Sequence, residues 1–274
     1  MKKPEISVII STYNAVEWLR KTLTGYKIQD TTDFELVIAD DGSSEETRLF
    51  LEAFKKESPV PVIHVWQEDD GFQKTKILNK AILACNANYI LMSDGDCIPR
   101  KDFVSTHLKY REEGYFLSGG YFKLPMDISK KIVEEDIIAQ KCFEKACLKK
   151  YGLKSSIKNL KLTAGQKRAF LLNNLTPTGA TWNGHNASGW KKDIIAVNGF
   201  DERMQYGGED RELGERLFNY GIKSKQIRYS AVCVHLEHPR GYKTPEAMAF
   251  NKQIRRETRE EKKTFTPHGI VNRL

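Results

Sequence analysis

Residues 5–14 read EISVIISTYN, residues 34–43 FELVIADDGS and residues 89–96 YILMSDGD. Each is a short apolar, β-branched run that stops abruptly at polar or acidic groups. That is the pattern of a strand buried on both faces whose carboxyl end leaves the core. Strands are predicted at Ile6 to Ile10, Phe34 to Ala39, Val62 to Val65 and Tyr89 to Met92, and helices at Val16 to Leu23, Glu45 to Lys56 and Lys74 to Ala84. The resulting βαβαβαβ order implies right-handed crossovers, an α/β fold and a mostly parallel sheet, with its ligand crevice beyond the strands' carboxyl ends.

Beyond this half the alternation stops. From about Asp127 to Leu172 the chain becomes a Lys-rich, helix-leaning insertion, and regular signals return with GATWNGHNASGW (residues 179–190), NGFDERM (198–204) and the helix-like DRELGERLFNYG (210–221). A strand is expected from Ile227 to Val234, then from about Thr244 a charged helix and a loose terminus. The expected organisation is one catalytic domain over residues 1–242 and a charged helical tail over 243–274.

Of the 274 residues 40% are hydrophobic and 29% charged, which supplies a core and excludes global disorder. No stretch approaches the roughly 20 apolar residues of a spanning helix, and polar Ser7, Ser11, Thr12 and Asn14 interrupt the start, so a cytoplasmic enzyme is expected. Cys85, Cys97, Cys142, Cys147 and Cys233 are odd in number and never at CxxC spacing, which favours reduced thiols over structural zinc. The net charge of +8 suits an anionic partner, whether nucleic acid, membrane surface or phosphorylated substrate.

The chemistry gathers just after the strands. Asp94 and Asp96 flank Gly95, so two hard oxygen donors stand at a turn that a ligand can approach closely, an arrangement suited to Mg²⁺ or Mn²⁺ on a pyrophosphate. Asp40 and Asp41 open DDGSSEET, where Ser43 or Ser44 is expected to cap the next helix, with Glu46 in a capping box. A carboxylate there can accept a hydrogen bond from a nucleobase N–H or a ribose hydroxyl. In GGED, residues 207–210, the acids stand at a helix start and one of them can act as a general base. His235 and His238 follow a strand, and an imidazole would complete a mixed oxygen and nitrogen metal shell.

Taken in order, SVIISTYN, DDGS, GFQKTKILNKAI, DGD, NGFDERM, GGED and HLEHPRG resemble glycosyltransferase family 2, over roughly residues 5 to 242. The carboxy-terminal half, about 178–242, is similar to the galactosyltransferase-type module of bacterial chondroitin polymerase and animal β-1,4-galactosyltransferases. The resemblance implies a GT-A type, Rossmann-like nucleotide-binding fold with a mostly parallel central sheet, a helical insertion and a helical tail. It implies that Thr12, Tyr13 and Asp40 contact the uridine of a UDP-sugar, that Lys74 and Lys76 lie nearby, and that Asp94 meets the ribose or sugar. It implies Asp96 and a histidine, best His235 with His238 the alternative, as metal ligands. Glu209 would face sugar hydroxyls and Asp210 would be the catalytic base. Ser11 stands where many relatives carry proline, and Gln205-Tyr206 where relatives often carry tryptophan, although Tyr206 can still stack on a sugar.

With UDP as leaving group, a divalent cation stabilises the developing phosphate charge and one base suffices, so Asp210 would deprotonate the acceptor and the anomeric configuration would invert. The rival readings are a sugar nucleotidyltransferase, which releases pyrophosphate, and a nucleic-acid-binding module, for which only the charge speaks. The acceptor is expected to be a glycan or lipid-linked glycan of a bacterial surface polysaccharide. Lys145, Lys149, Lys150, Lys154, Lys158, Lys161, Lys167 and Arg168 form a run with no acid, expected to touch an anionic membrane peripherally, with Leu148, Tyr151, Leu153, Ile157, Leu160 and Leu162 inserting shallowly.

Overall fold

The computed structural model describes residues 3–156, 159–163, 165–239 and 243–273, so Ile157, Lys158, Arg240 and Gly241 of the stretches above lie outside the described residues. Ten strands are described: β1 Ile6–Thr12, β2 Phe34–Asp40, β3 Val62–Trp66, β4 Tyr89–Asp94, β5 Cys97–Pro99, β6 Tyr115–Ser118, β7 Gly120–Lys123, β8 Ala187–Trp190, β9 Lys223–Gln226 and β10 Val232–His235. Seven form a sheet in the order β3-β2-β1-β4-β8-β6-β9, and β5-β10-β7 form a second, smaller sheet. β1 pairs in parallel with β2 and β4, and β2 with β3. β8 runs antiparallel between β4 and β6, so the sheet is mostly parallel but mixed at its far side.

Alternation along the parallel strands sorts side chains to the two faces. Val8, Ile10, Leu36 and Ile38 pack with Leu19, Leu23 and Tyr26 of the helix Val16–Lys27. Ile9, Val37 and Ala39 point the other way, against Ile77 and Ile82 of the helix Lys74–Ala84. Fully burying one such side chain stabilises by roughly 1.5–3 kcal/mol, so a layer of helices on each face holds this half together. No helix among the described residues is long and apolar enough to cross a membrane.

Three expectations are corrected. The single strand expected over Ile227 to Val234 is a turn followed by β10, because Ser230 and Ala231 N–H both donate to the Ile227 carbonyl and carry the chain from the large sheet to the small one. The strand before the turn, β9, is the polar KSKQ, which apolar patterning does not flag. The loose terminus is pinned: Asn198 Nδ2 donates to Thr266 O at 2.6 Å, Val271 N–H to Asn198 Oδ1 at 2.7 Å, and Ile270 is fully buried.

The third correction concerns the insertion. It is helical in short pieces, among them Met126–Lys131, Glu134–Ile138, Lys145–Lys150 and Gln166–Leu175. These pieces roof the small sheet: Leu148 and Leu162 are buried with Ile98, Phe122 and Val234, and Tyr151 and Leu153 pack against the same cluster. Leu148 and Leu162 are therefore interior, and Tyr151 and Leu153 are partly covered. The exposed apolar groups of this region include Val133 and Ile138 as well as Phe170, Leu171 and Leu175 of the last helix. The tail helix Pro245–Glu260 lies against the helix Glu209–Asn219 and starts at Thr244, whose Oγ accepts from Ala247 N–H.

Candidate active site

The carboxyl ends of β1, β2 and β4 open into one cleft of about 1270 Å³, completed by β7, the loop before β8, the Gly207–Asp210 segment and the end of β10. At the end of β1, Thr12 is buried with its hydroxyl making no hydrogen bond to the described residues. Tyr13 is exposed and its hydroxyl donates to Asp69 Oδ2 at 2.8 Å, which raises its pKa. Asn14 takes a left-handed φ of 44°. It ties the first loop to the second, its N–H donating to Ser43 Oγ and its Oδ1 accepting from Ser44 N–H, both at 2.8 Å. The expected serine cap is not formed, because Ser43 is spent on this tie and Ser44 caps without its side chain.

The two acids of DDGS divide by strand parity. Asp40 is buried, its carboxylate accepting from Ser43 N–H and His64 Nε2 at 2.9 Å each, and it does not line the cleft. Asp41 does line it. Its oxygens accept from Gln67 Nε2 at 2.6 Å and Gln73 N–H at 2.9 Å, and burial raises its pKa.

At the end of β4, Asp94 Oδ1 accepts from both Ser11 Oγ and Lys74 Nζ at 2.7 Å. The serine that stands where many relatives carry proline thus orients an acid. Burial opposes charging Asp94, but the Lys74 ammonium and these hydrogen bonds outweigh it and hold the carboxyl well below the usual range. Lys74 is likewise kept charged against its burial by Asp94 and Glu209. Lys76, two residues on, does not line the cleft.

Gly95 then turns the chain from one sheet into the other. Its N–H donates to Ser11 O at 2.8 Å, and an added Cβ would stand 3.0 Å from that same oxygen. The turn delivers Asp96 to β5, whose antiparallel register sets Cys97 opposite His235, while Leu236 N–H donates to Asp96 O at 2.9 Å. Asp96 Oδ2 consequently lies 3.6 Å from His235 Nε2 and 2.9 Å from His238 Nε2. One carboxylate oxygen and two imidazole nitrogens, all within 4.8 Å of one another, make a donor set that fits a divalent cation.

Across the cleft, Gly207 and Gly208 have φ of 113° and 93°, a backbone that side chains resist, and they start the helix with Glu209 and Asp210 in its first turn. Gly207 N–H donates to Glu209 Oε2 at 2.8 Å, and Gly184 N–H to Asp210 Oδ2 at 3.1 Å. Burial and the Asp210 charge raise the pKa of Glu209. Tyr206 meets Phe72 edge-on, with ring centroids 6.0 Å apart, and lines the cleft.

Of the residues singled out by sequence, Thr12, Tyr13, Lys74, Asp94, Asp96, Tyr206, Glu209, Asp210, His235 and His238 meet in this cleft, while Asp40 and Lys76 do not line it. Sequence reasoning missed Tyr121, Lys123 and His185 as lining groups, and of the pair Asp40 and Asp41 it took the first where the second lines the cleft. His185 is in a loop without periodicity, its ring set against Tyr121 at 4.5 Å and its pKa pushed down by burial to about 4.

Comparison with known proteins bears on the family and the fold. The pattern of Glycosyl transferase family 2 matches residues 7–170, and that described as the N-terminal domain of galactosyltransferase matches residues 177–239. An uncharacterized glycosyltransferase of Bacillus subtilis, YfnE, is 26% identical over 89% of this chain and 68% of its own length. The chondroitin synthase of Escherichia coli is 27% identical over 85% of this chain, which spans only 35% of that protein. Among solved structures, a Pyrobaculum calidifontis mannosyltransferase in complex with GDP-Man and Mn²⁺ superposes with a TM-score of 0.58 at 17% identity, over 95% of this chain and 63% of that one. Staphylococcus aureus TarS 1-349 with UDP-GlcNAc gives 0.58 at 15% identity, over 87% and 60%. These likenesses show the GT-A fold, and the family match covers more than half of the residues: the chain belongs to glycosyl transferase family 2.

Proposed function

We propose that the protein is an inverting, metal-dependent hexosyl- or N-acetylhexosaminyltransferase that uses a UDP-sugar donor. The observation that carries this reading is the single cleft in which Asp96, His235 and His238 form a cation-binding set opposite the carboxylates of Glu209 and Asp210. Asp96, His235 and His238 would hold a divalent cation, which would supply Lewis-acid stabilisation of diphosphate charge. Two imidazoles beside one carboxylate favour Mn²⁺ over Mg²⁺, which prefers oxygen donors and gives up its waters reluctantly.

The chain's own residues do the rest. Thr12 and Tyr13 line the nucleoside end, and the buried Thr12 hydroxyl, which lacks a hydrogen bond to the described residues, is free to meet a polar group of uridine. In place of Asp40, which does not line the cleft, Asp41 is the acid that faces the nucleoside. Asp94, fixed by Ser11 and Lys74, accepts from hydroxyls of the ribose or transferred sugar. Tyr206 and Glu209 hold that sugar.

Asp210, oriented by the Gly184 N–H, takes the proton from the acceptor hydroxyl. The acceptor oxygen bonds to the anomeric carbon as the carbon–oxygen bond to the diphosphate breaks, and the electron pair leaves with UDP. Attack from the face opposite the leaving group inverts the configuration.

The acceptor is a glycan or lipid-linked glycan of a surface polysaccharide, met at an anionic membrane. What supports this is the insertion's exposed surface, where Lys149, Lys150, Lys154, Lys167 and Arg168 stand out with Phe170, Leu171 and Leu175. Calorimetry of UDP and GDP with Mn²⁺ or Mg²⁺ tests the donor assignment. UDP with Mn²⁺ should bind best, and equal UDP affinity with and without cation would overturn the metal reading.

A further inference from the structure

The family patterns end at residue 239, yet the helix Pro245–Glu260 reaches back to the segment that carries the catalytic acids. Met248, Asn251, Arg255 and Thr258 are spaced three or four residues apart and so share one face of the helix. Met248 lies against Gly207, Arg255 against Gly208, and Thr258 Oγ donates to Glu212 Oε1 at 3.0 Å. Asn251 is fully buried, and its Nδ2 donates to both Gln205 O at 2.8 Å and Gly207 O at 3.1 Å.

Those two carbonyls flank Tyr206 and stand directly before Glu209 and Asp210. Gly207 and Gly208 accept many backbone conformations, so the loop does not select one by itself. Thr75 Oγ donates to Met204 O at 3.2 Å and fixes the loop's entry, while the helix start fixes its exit. Between them, the Gly207 N–H bond to Glu209 and the Tyr206–Phe72 contact are joined by a side chain that donates twice into two carbonyls, and asparagine supplies it where an ionised acid would set oxygen against oxygen.

We propose that Asn251 is a positioning residue of the active site, holding the Gln205–Gly208 turn so that Tyr206, Glu209 and Asp210 face the cleft. The tail helix is then a working part of the transfer site, reached only through folding. This rests on the assignment of Asp210 as base, so the test includes a readout that does not need catalysis.

Asn251→Ala removes the donor while the donor-nucleotide residues stay in place. It should lower kcat by on the order of 10- to 100-fold, the effect of misplacing a reacting group by about 1 Å, while UDP affinity with Mn²⁺ stays within about twofold. Asn251→Asp should keep part of the activity relative to wild type at low pH, where a protonated buried carboxyl donates to one of the two carbonyls, and lose the rest as pH rises and the ionised carboxylate faces both. Arg259→Ala breaks an exposed contact of the same helix with Glu215 and is the control for docking alone, with kcat expected unchanged.

Hydrogen exchange at the amides of residues 205–210 should quicken in Asn251→Ala but not in Arg259→Ala, whatever reaction the enzyme catalyses. Unchanged exchange there overturns the proposal. So does a folded Asn251→Ala enzyme with wild-type kcat, or a kcat loss that Arg259→Ala reproduces. If exchange quickens while Asp210→Asn transfers normally, the brace stands and the base assignment falls.

Discussion

The two halves of the cleft reach their geometry by different routes. On the nucleotide side, Thr12, Asp41 and Asp94 stand at or one residue beyond the ends of adjacent parallel strands, and the strand register alone brings them together. On the transfer side, His235 meets Asp96 only because β10 pairs with β5, Asp210 is oriented by a Gly184 N–H 26 residues earlier, and the loop before Glu209 is held from residue 251. The first half is apolar architecture with polar ends; the second is a network of hydrogen bonds between distant segments. A defect in the first should act on donor binding, and one in the second on turnover.

The sharpest challenge to this division is Asp96→Ala, because Asp96 lies where the halves join. Losing a carboxylate ligand should abolish the metal-dependent part of UDP binding as well as transfer, and unchanged UDP affinity in Mn²⁺ by calorimetry would remove Asp96 from the metal set. Asp210→Asn should separate the halves: turnover falls on the order of 10²- to 10⁴-fold with donor affinity kept. Near-normal transfer by the folded variant would move the base, with Glu209 next.

A stability measurement probes the polar network itself. Arg216 and Glu212 are a buried ion pair at 2.7 Å, and Arg216 Nη2 also donates to Gly199 O at 2.6 Å. Arg216→Ala should cost about 3–5 kcal/mol in urea unfolding, since it strands the Glu212 carboxylate in the interior. A cost below about 1 kcal/mol would mean that the second half is held by apolar contacts like the first.

The smallest expected effect is at the insertion. Converting Lys149, Lys150, Lys154 and Lys167 to glutamine should weaken sedimentation with anionic vesicles at low salt, each lysine contributing at most about 1 kcal/mol. Equal sedimentation of variant and wild type would leave the segment an ordinary solvated surface.

Much of the parallel half was legible because its polar strand ends and its periodicity share one stretch of chain: the runs ending at Thr12, Asp40 and Asp94 announce both the strand and the edge of the cleft. Asp40 and Asp41 differ by strand parity, which the run of letters does not show. The backbone turn, with Ser43 N–H and His64, takes the first carboxylate and leaves the second to the cleft. In the transfer half, GGED and the histidines could be named but not placed, and His185 and Asn251 could not be singled out. A lone asparagine in a charged helix gives no local sign that its amide will meet a glycine loop 44 residues away. Two of the insertion's leucines misled because its short helices build their own core against the small sheet, so Leu148 and Leu162, read as surface groups, are interior.

The most direct test of sugar transfer in this cleft is product identification with a panel of UDP-sugars, simple acceptors and Mn²⁺. We expect UDP to be released in step with a glycoside of inverted anomeric configuration, with both lost on chelation of the cation. Pyrophosphate released from a nucleoside triphosphate and a sugar phosphate, without UDP-dependent transfer, would contradict the assignment and make the protein a nucleotidyltransferase.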